Sequence, residues 1–198
     1  MTAPAFVGRS VVERVEKEYG YFTANRFKYY YDLLASLKGA TLTKKLVEVN
    51  DFWNGTPYGS DLNVWGLRDY WATPYEFLIK NPGDCEDYVI AKYFTLTRLG
   101  IDPSKLFFVY ARVRGYRSSH MVLAYYPKGM RYEPLILDSL NLKIFPASKR
   151  KDLTPIYTFN GELLQRYGSG KSRGLGNKSR KVKRKWEDLM QRMKRYPI

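Results

Sequence analysis

At Gly83-Asp84-Cys85-Glu86-Asp87 a turn signal passes directly into an apolar pattern of helical period, and the chain changes character around it. Ahead of it lie helical stripes. Phe27, Tyr30, Leu33, Leu34 and Leu37 mark one and Leu42 to Phe52 another, with Gly39 and Gly55 placed to end them. Ser10-Val11-Val12-Glu13 has the capping-box pattern, which predicts an earlier helix. Asn54 to Asn63 is turn-rich and predicts a loop, and Trp65 to Ile79 predicts one or two short helices around Pro74, which cannot continue a helix begun before it. Behind the cysteine the helix should run to Gly100. Leu106 to Val113 and His120 to Tyr126 then predict strands around a polar loop, and Leu135 to Asp138 a third. Helices first and antiparallel strands after predict an α+β fold.

The chain has one cysteine and one histidine. Cysteine attacks as the thiolate, and the free N–H groups and positive dipole end of a helix stabilise that anion at Cys85. His120 opens one strand and is the sole candidate base; Asp138 closes another and supplies a carboxylate. The chain order is Cys, His, Asp. A lone cysteine is also a common small buried hydrophobe, so the pattern alone leaves a structural role open.

Several further stretches, in order, carry a resemblance. Trp71-Ala72-Thr73-Pro74-Tyr75-Glu76-Phe77-Leu78, Gly83-Asp84-Cys85-Glu86-Asp87-Tyr88-Val89-Ile90-Ala91-Lys92-Tyr93-Phe94, His120-Met121-Val122-Leu123-Ala124-Tyr125-Tyr126-Pro127, Leu135-Ile136-Leu137-Asp138 and Ile156-Tyr157-Thr158-Phe159-Asn160-Gly161-Glu162 are similar to the LapG family of bacterial transglutaminase-like cysteine proteinases. The resemblance implies a papain-like or transglutaminase-like α+β fold, with a helical N-terminal half and the catalytic cysteine at a helix start packed on an antiparallel sheet. It implies a periplasmic, calcium-dependent protease that clips a large surface adhesin near its N-terminus after paired alanines. It also implies restraint by a LapD-like inner-membrane receptor that senses cyclic-di-GMP, in control of biofilm release. Carried over residue by residue, it makes Cys85 the nucleophile, His120 the general base, Asp138 the orienting acid, and Asp84 and Glu86 calcium ligands.

Asp84, Glu86 and Asp87 suit a helix N-terminus, yet three carboxylates beside a thiol disfavour its anion. From the residues alone, Asp84 acts as an N-cap with no metal. The resemblance implies instead a bound Ca²⁺, which takes six to eight oxygens, so loop carbonyls or acids such as Asp61 would complete the site, with Asp87 a weaker candidate. The oxyanion of an acyl transfer needs two donors: the Cys85 N–H is one, and Trp71 or Asn81 is the candidate for the second.

The net charge of +15 is uneven. From Arg166 to Ile198 twelve Lys or Arg face two acids, a net of +10 that leaves +5 for residues 1–165. This divides the chain into a protease domain over 1–165 and a basic C-terminal arm over 166–198. Tyr167 to Lys185 reads as a flexible linker, and Trp186, Leu189, Met190 and Met193 recur at helical spacing and predict a short amphipathic helix. A solvated arm is the preferred reading, dispensable for chemistry; nucleic acid is a disfavoured partner. Gly168-Ser169-Gly170-Lys171-Ser172 is no phosphate loop, because the first glycine of that motif would fall at Gln165.

At 198 residues with 44% hydrophobic content the chain can bury a real core. No apolar run is long enough for a transmembrane helix. Met1-Thr2-Ala3-Pro4-Ala5-Phe6-Val7 lacks a signal-peptide pattern, so either a leader has been removed, as the periplasmic location implied by the resemblance requires, or this member is cytoplasmic. The expected activity is that of a cysteine endopeptidase. The alternatives are a transglutaminase or amidase of the same fold, and a non-catalytic binding protein using the basic tail.

Overall fold

The computed structural model describes residues 8–161 and 178–196. Among the described residues, six α-helices precede the sheet: α1 (Arg9–Tyr19), α2 (Tyr21–Ser36), α3 (Leu42–Asn54), α4 (Asp61–Trp65), α5 (Pro74–Lys80) and α6 (Cys85–Arg98). Strands β1 (Leu106–Val113), β2 (Ser119–Tyr125), β3 (Leu135–Leu137), β4 (Phe145–Pro146) and β5 (Leu153–Phe159) follow, and α7 (Lys178–Arg195) comes last. The sheet is antiparallel in the order β4-β3-β2-β1-β5.

The α+β expectation holds, with local differences. Helix α1 has no capping box at Ser10. It starts two residues earlier, and its N-cap is Gly8 at φ 102, without a side-chain cap. Glycine is required there, since a Cβ would lie 2.5 Å from the Tyr31 ring. Capping boxes form instead at Thr73 with Glu76 and at Asp84 with Asp87. The turn-rich segment ends at Ser60, and α4 begins at Asp61. Strand β5 went unpredicted because Pro155 interrupts it. Among the described residues it is an edge strand hydrogen-bonded to β1 alone, and so tolerates the missing donor.

Helix α6 is buried over most of its length, from Asp87 through Leu96, between the sheet and helices α3 and α5. Its core face includes Val89, Ile90 and Leu96, joined by Phe27, Trp53, Phe77, Phe108 and Phe159. A smaller cluster of Phe107, Val109, Val122, Ala124 and Ile136 forms a second core.

The C-terminal segment packs on this body. Val182, Trp186 and Leu189 belong to the main core. Trp186 stacks on Phe94 at 5.8 Å and meets Phe108 edge-on at 5.5 Å. It sits directly on Gly161, where a Cβ would lie 2.4 Å from the indole. Lys181 and Lys185 pair with Asp69, and Arg192 pairs with Glu76 and donates to the Trp71 carbonyl. The helix therefore starts at Lys178, well before the expected Trp186, and the linker read over Tyr167 to Lys185 does not extend past residue 177. Its remainder lies outside the described residues. The preferred reading of a solvated arm fails for 178–196, because Val182, Trp186 and Leu189 form an apolar stripe that packs on the body while the charged stems flank it.

Candidate active site

Cys85 is the first residue of α6, and the chain reaches it through Gly83. A Cβ at Gly83 would fall 2.6 Å from the Phe77 ring and 2.8 Å from Asp87 Oδ2. Asp84 caps the helix, its Oδ1 accepting the Glu86 N–H at 3.2 Å. Asp87 Oδ2 accepts the Asp84 N–H at 3.2 Å, while Oδ1 accepts the Ala72 N–H at 2.8 Å and ties the preceding loop to the helix.

The partly buried Cys85 and His120 line one cavity of about 390 Å³, with Tyr58, Tyr116, Ser119 and Leu140 among its other walls. The register of Leu123 opposite Leu137 carries Asp138 toward the end of the sheet where His120 lies. His120 Nε2 is 2.5 Å from Asp138 Oδ1, and the carboxylate is fully buried. The three residues named from the sequence thus meet at one place.

Four polar residues around Asp138 went unrecognised in the sequence. Arg150 Nη2 donates to Asp138 Oδ2 at 2.6 Å, and its Nε and Nη2 hold Asp152 at 3.0 and 2.8 Å. Asn54 Nδ2 and Lys92 Nζ donate to the Asp138 carbonyl at 2.9 and 3.1 Å. Lys92, wholly buried on α6, also donates to Asn54 Oδ1 at 2.7 Å, and burial pushes its pKa down to about 7. Burial by itself would raise Asp138. The His120 hydrogen bond and charge, the Leu140 N–H and Arg150 outweigh it and hold the carboxyl at about 2.

The thiol itself is in a different electrostatic setting. Cys85 Sγ donates to Glu86 Oε2 at 2.8 Å. Burial first, then Glu86 and Asp84, push the thiol pKa well up. Burial and the mutual repulsion of the neighbouring acids raise Asp84 to about 10 and Asp87 to about 8. Oxygens of Asp61, Asp84 and Asp87 lie within 4.8 Å of one another, as do the ligand atoms of Asp84, Cys85 and Glu86. Asp61 Oδ2 accepts the Tyr70 N–H at 2.5 Å, but the buried Oδ1 has no partner among the described residues. This acid cluster borders a second cavity of about 540 Å³, which shares Ser119 with the first and is walled on one side by Lys181, Val182 and Lys185 of α7.

Of the two proposed oxyanion donors, Trp71 lines this second cavity. Its indole stacks on Phe159 at 5.9 Å, and Nε1 is buried without a partner among the described residues. Asn81 instead closes α5 in the left-handed conformation at φ 61, its N–H donating to the Phe77 carbonyl. It is a helix cap.

A family model of bacterial transglutaminase-like cysteine proteinases matches residues 34–152. Among solved structures, Legionella pneumophila LapG is similar at 37% identity over 93% of this chain and 96% of that one, with a TM-score of 0.75. Its calcium-bound form gives 38%, 93%, 98% and 0.74 on the same measures, and its EGTA-treated form 36%, 93%, 96% and 0.75. No curated protein matches. The chain belongs to the family of bacterial transglutaminase-like cysteine proteinases.

Proposed function

We propose that this cysteine proteinase is a calcium-dependent endopeptidase that uses Cys85 as nucleophile, His120 as general base and Asp138 as orienting acid. The observation that carries the reading is the 2.5 Å contact of His120 Nε2 with Asp138 Oδ1 beside the cavity that Cys85 lines. With Nε2 engaged, Nδ1 is the ring nitrogen left to take the thiol proton. The thiolate attacks the scissile carbonyl, and the Cys85 N–H, one of the donors a helix start leaves unpaired, receives the oxyanion. His120 then protonates the leaving amine, and water activated by the same imidazole resolves the thioester. Trp71 is the second candidate donor.

Asp84 and Glu86, with Asp61, would hold a calcium ion, and the unpartnered Asp61 Oδ1 together with the crowded carboxylates fits a hard cation. When bound, the ion supplies positive charge that lets these carboxylates stay ionised together and lowers the cost of a neighbouring thiolate. Asp87, with both oxygens engaged by backbone N–H groups, serves the helix cap first. That the related LapG has been seen both calcium-bound and EGTA-treated supports the assignment.

The substrate we propose is the N-terminal region of a large surface adhesin, cut after paired alanines in the periplasm, with a LapD-like cyclic-di-GMP receptor as inhibitor. No helix among the described residues is long and apolar enough to cross a membrane. The test is cleavage of an adhesin N-terminal fragment containing the dialanine, with and without chelator, beside a glutamine-donor assay. Amine incorporation without peptide cleavage would replace the protease by the transglutaminase alternative.

A further inference from the structure

Arg150 sits in Lys149-Arg150-Lys151-Asp152, which reads as a solvated charge run, yet it is 4% exposed while Lys149 and Lys151 face solvent. A guanidinium leaves water only at considerable cost unless its donors are engaged. Here the fork is split: Nε and Nη2 grip Asp152, Nη2 also reaches Asp138 Oδ2, and the buried Nη1 has no partner among the described residues. Asp138 Oδ2 is thereby occupied, and Oδ1 alone faces His120. The imidazole gains and loses its charge during turnover. When the imidazole is neutral, the buried Asp138 carboxylate needs a counter-charge other than His120. An arginine, which does not deprotonate in proteins, supplies a counter-charge throughout.

We propose that Arg150 is a positioning residue of the active site, which fixes the Asp138 carboxylate for His120, with Asp152 setting the orientation of the guanidinium. The proposal rests on the reading of Cys85, His120 and Asp138 given above. A purely structural role, tying the β4–β5 connection to β3, is the competing explanation, and the two differ in how Arg150 depends on Asp138.

The experiment is a double-mutant cycle on cleavage of the dialanine fragment by the calcium-loaded protein. Arg150→Met should lower kcat about 10- to 100-fold with KM nearly unchanged, and Arg150→Lys, which keeps the charge, should recover part of the loss. In the Asp138→Asn background the same Arg150→Met change should alter kcat by no more than about twofold. Equal losses in both backgrounds, or full activity of Arg150→Met, would overturn the proposal. If Arg150→Met does not fold, the cycle is run with Asp152→Asn, whose carboxylate is 41% exposed and whose loss leaves the buried guanidinium in place. A fall in kcat that vanishes with Asp138→Asn supports the proposal, and wild-type kcat overturns it. Cleavage by Cys85→Ala would instead bring down the active-site reading itself, and is told apart because it does not involve Arg150.

Discussion

The Cys85 thiol donates to the carboxylate of its own neighbour, Glu86, at 2.8 Å. That bond keeps the proton on sulfur, and burial with Asp84 and Glu86 nearby raises the thiol pKa, the reverse of what a nucleophile at a helix start requires. The contact gives the acid cluster a chemical consequence as well as a structural one.

Chelation should therefore reduce both cleavage and melting temperature. A ligand at 100 times its Kd stabilises by about 2.7 kcal/mol, roughly 5–10 °C for a domain of this size. Asp84→Ala and Glu86→Ala should lose the response to added calcium, read by thermal melts with and without chelator. Identical melts would leave the acids as helix caps.

Cys85→Ala and His120→Ala should abolish proteolysis, since the chain has no second cysteine or histidine to substitute; Cys85→Ala should melt close to wild type, and His120→Ala below it, because it takes a partner from the buried Asp138 carboxylate. Asp138→Asn should retain a trace of activity, as loss of an orienting carboxylate does. An alkylating reagent should add one label and inactivate, which intact-mass measurement beside a cleavage assay would check.

The acid limb of stability should carry an Asp138 component. Its folded pKa, about 2, lies below the unfolded value near 3.9. The contribution is therefore fully present above pH 4 and is lost as the pH falls toward 2. Melts of wild type and Asp138→Asn across pH 2–6 should differ most above pH 4 and converge at the acid end. A constant gap would show that Asp138 does not titrate in this window.

Helix α7 should be needed for stability. Trp186→Ala removes a side chain 2% exposed against Phe94 and Phe108 and should cost about 3–5 kcal/mol, roughly 10 °C in melting temperature. Truncation after Glu162 should do at least as much and should reduce cleavage, because Lys181 and Lys185 wall the cavity beside the acid cluster. A truncated protein with unaltered melting and activity would restore the picture of a dispensable arm.

What the sequence determined by itself was local and ordered: the helix that begins at Cys85, the strands at 106–113 and, one residue out of place, 120–126, the turn glycines after α2, α3 and α6, and the candidate residues Cys85, His120 and Asp138. Such features follow from hydrophobic period and turn chemistry within a few neighbours, so they are legible without a fold. Tertiary structure alone decided which members of similar runs are buried. Arg150 and its flanking lysines are alike in sequence, and only Arg150 meets Asp138, twelve residues away. Lys92 interrupts the apolar run of α6, because Asn54 and the Asp138 carbonyl wait for it across 38 and 46 residues. Gly161 and Trp186 belong to separate segments until one seats the other. The free energy of burying a charge or an indole depends on partners that only the assembled chain brings within reach.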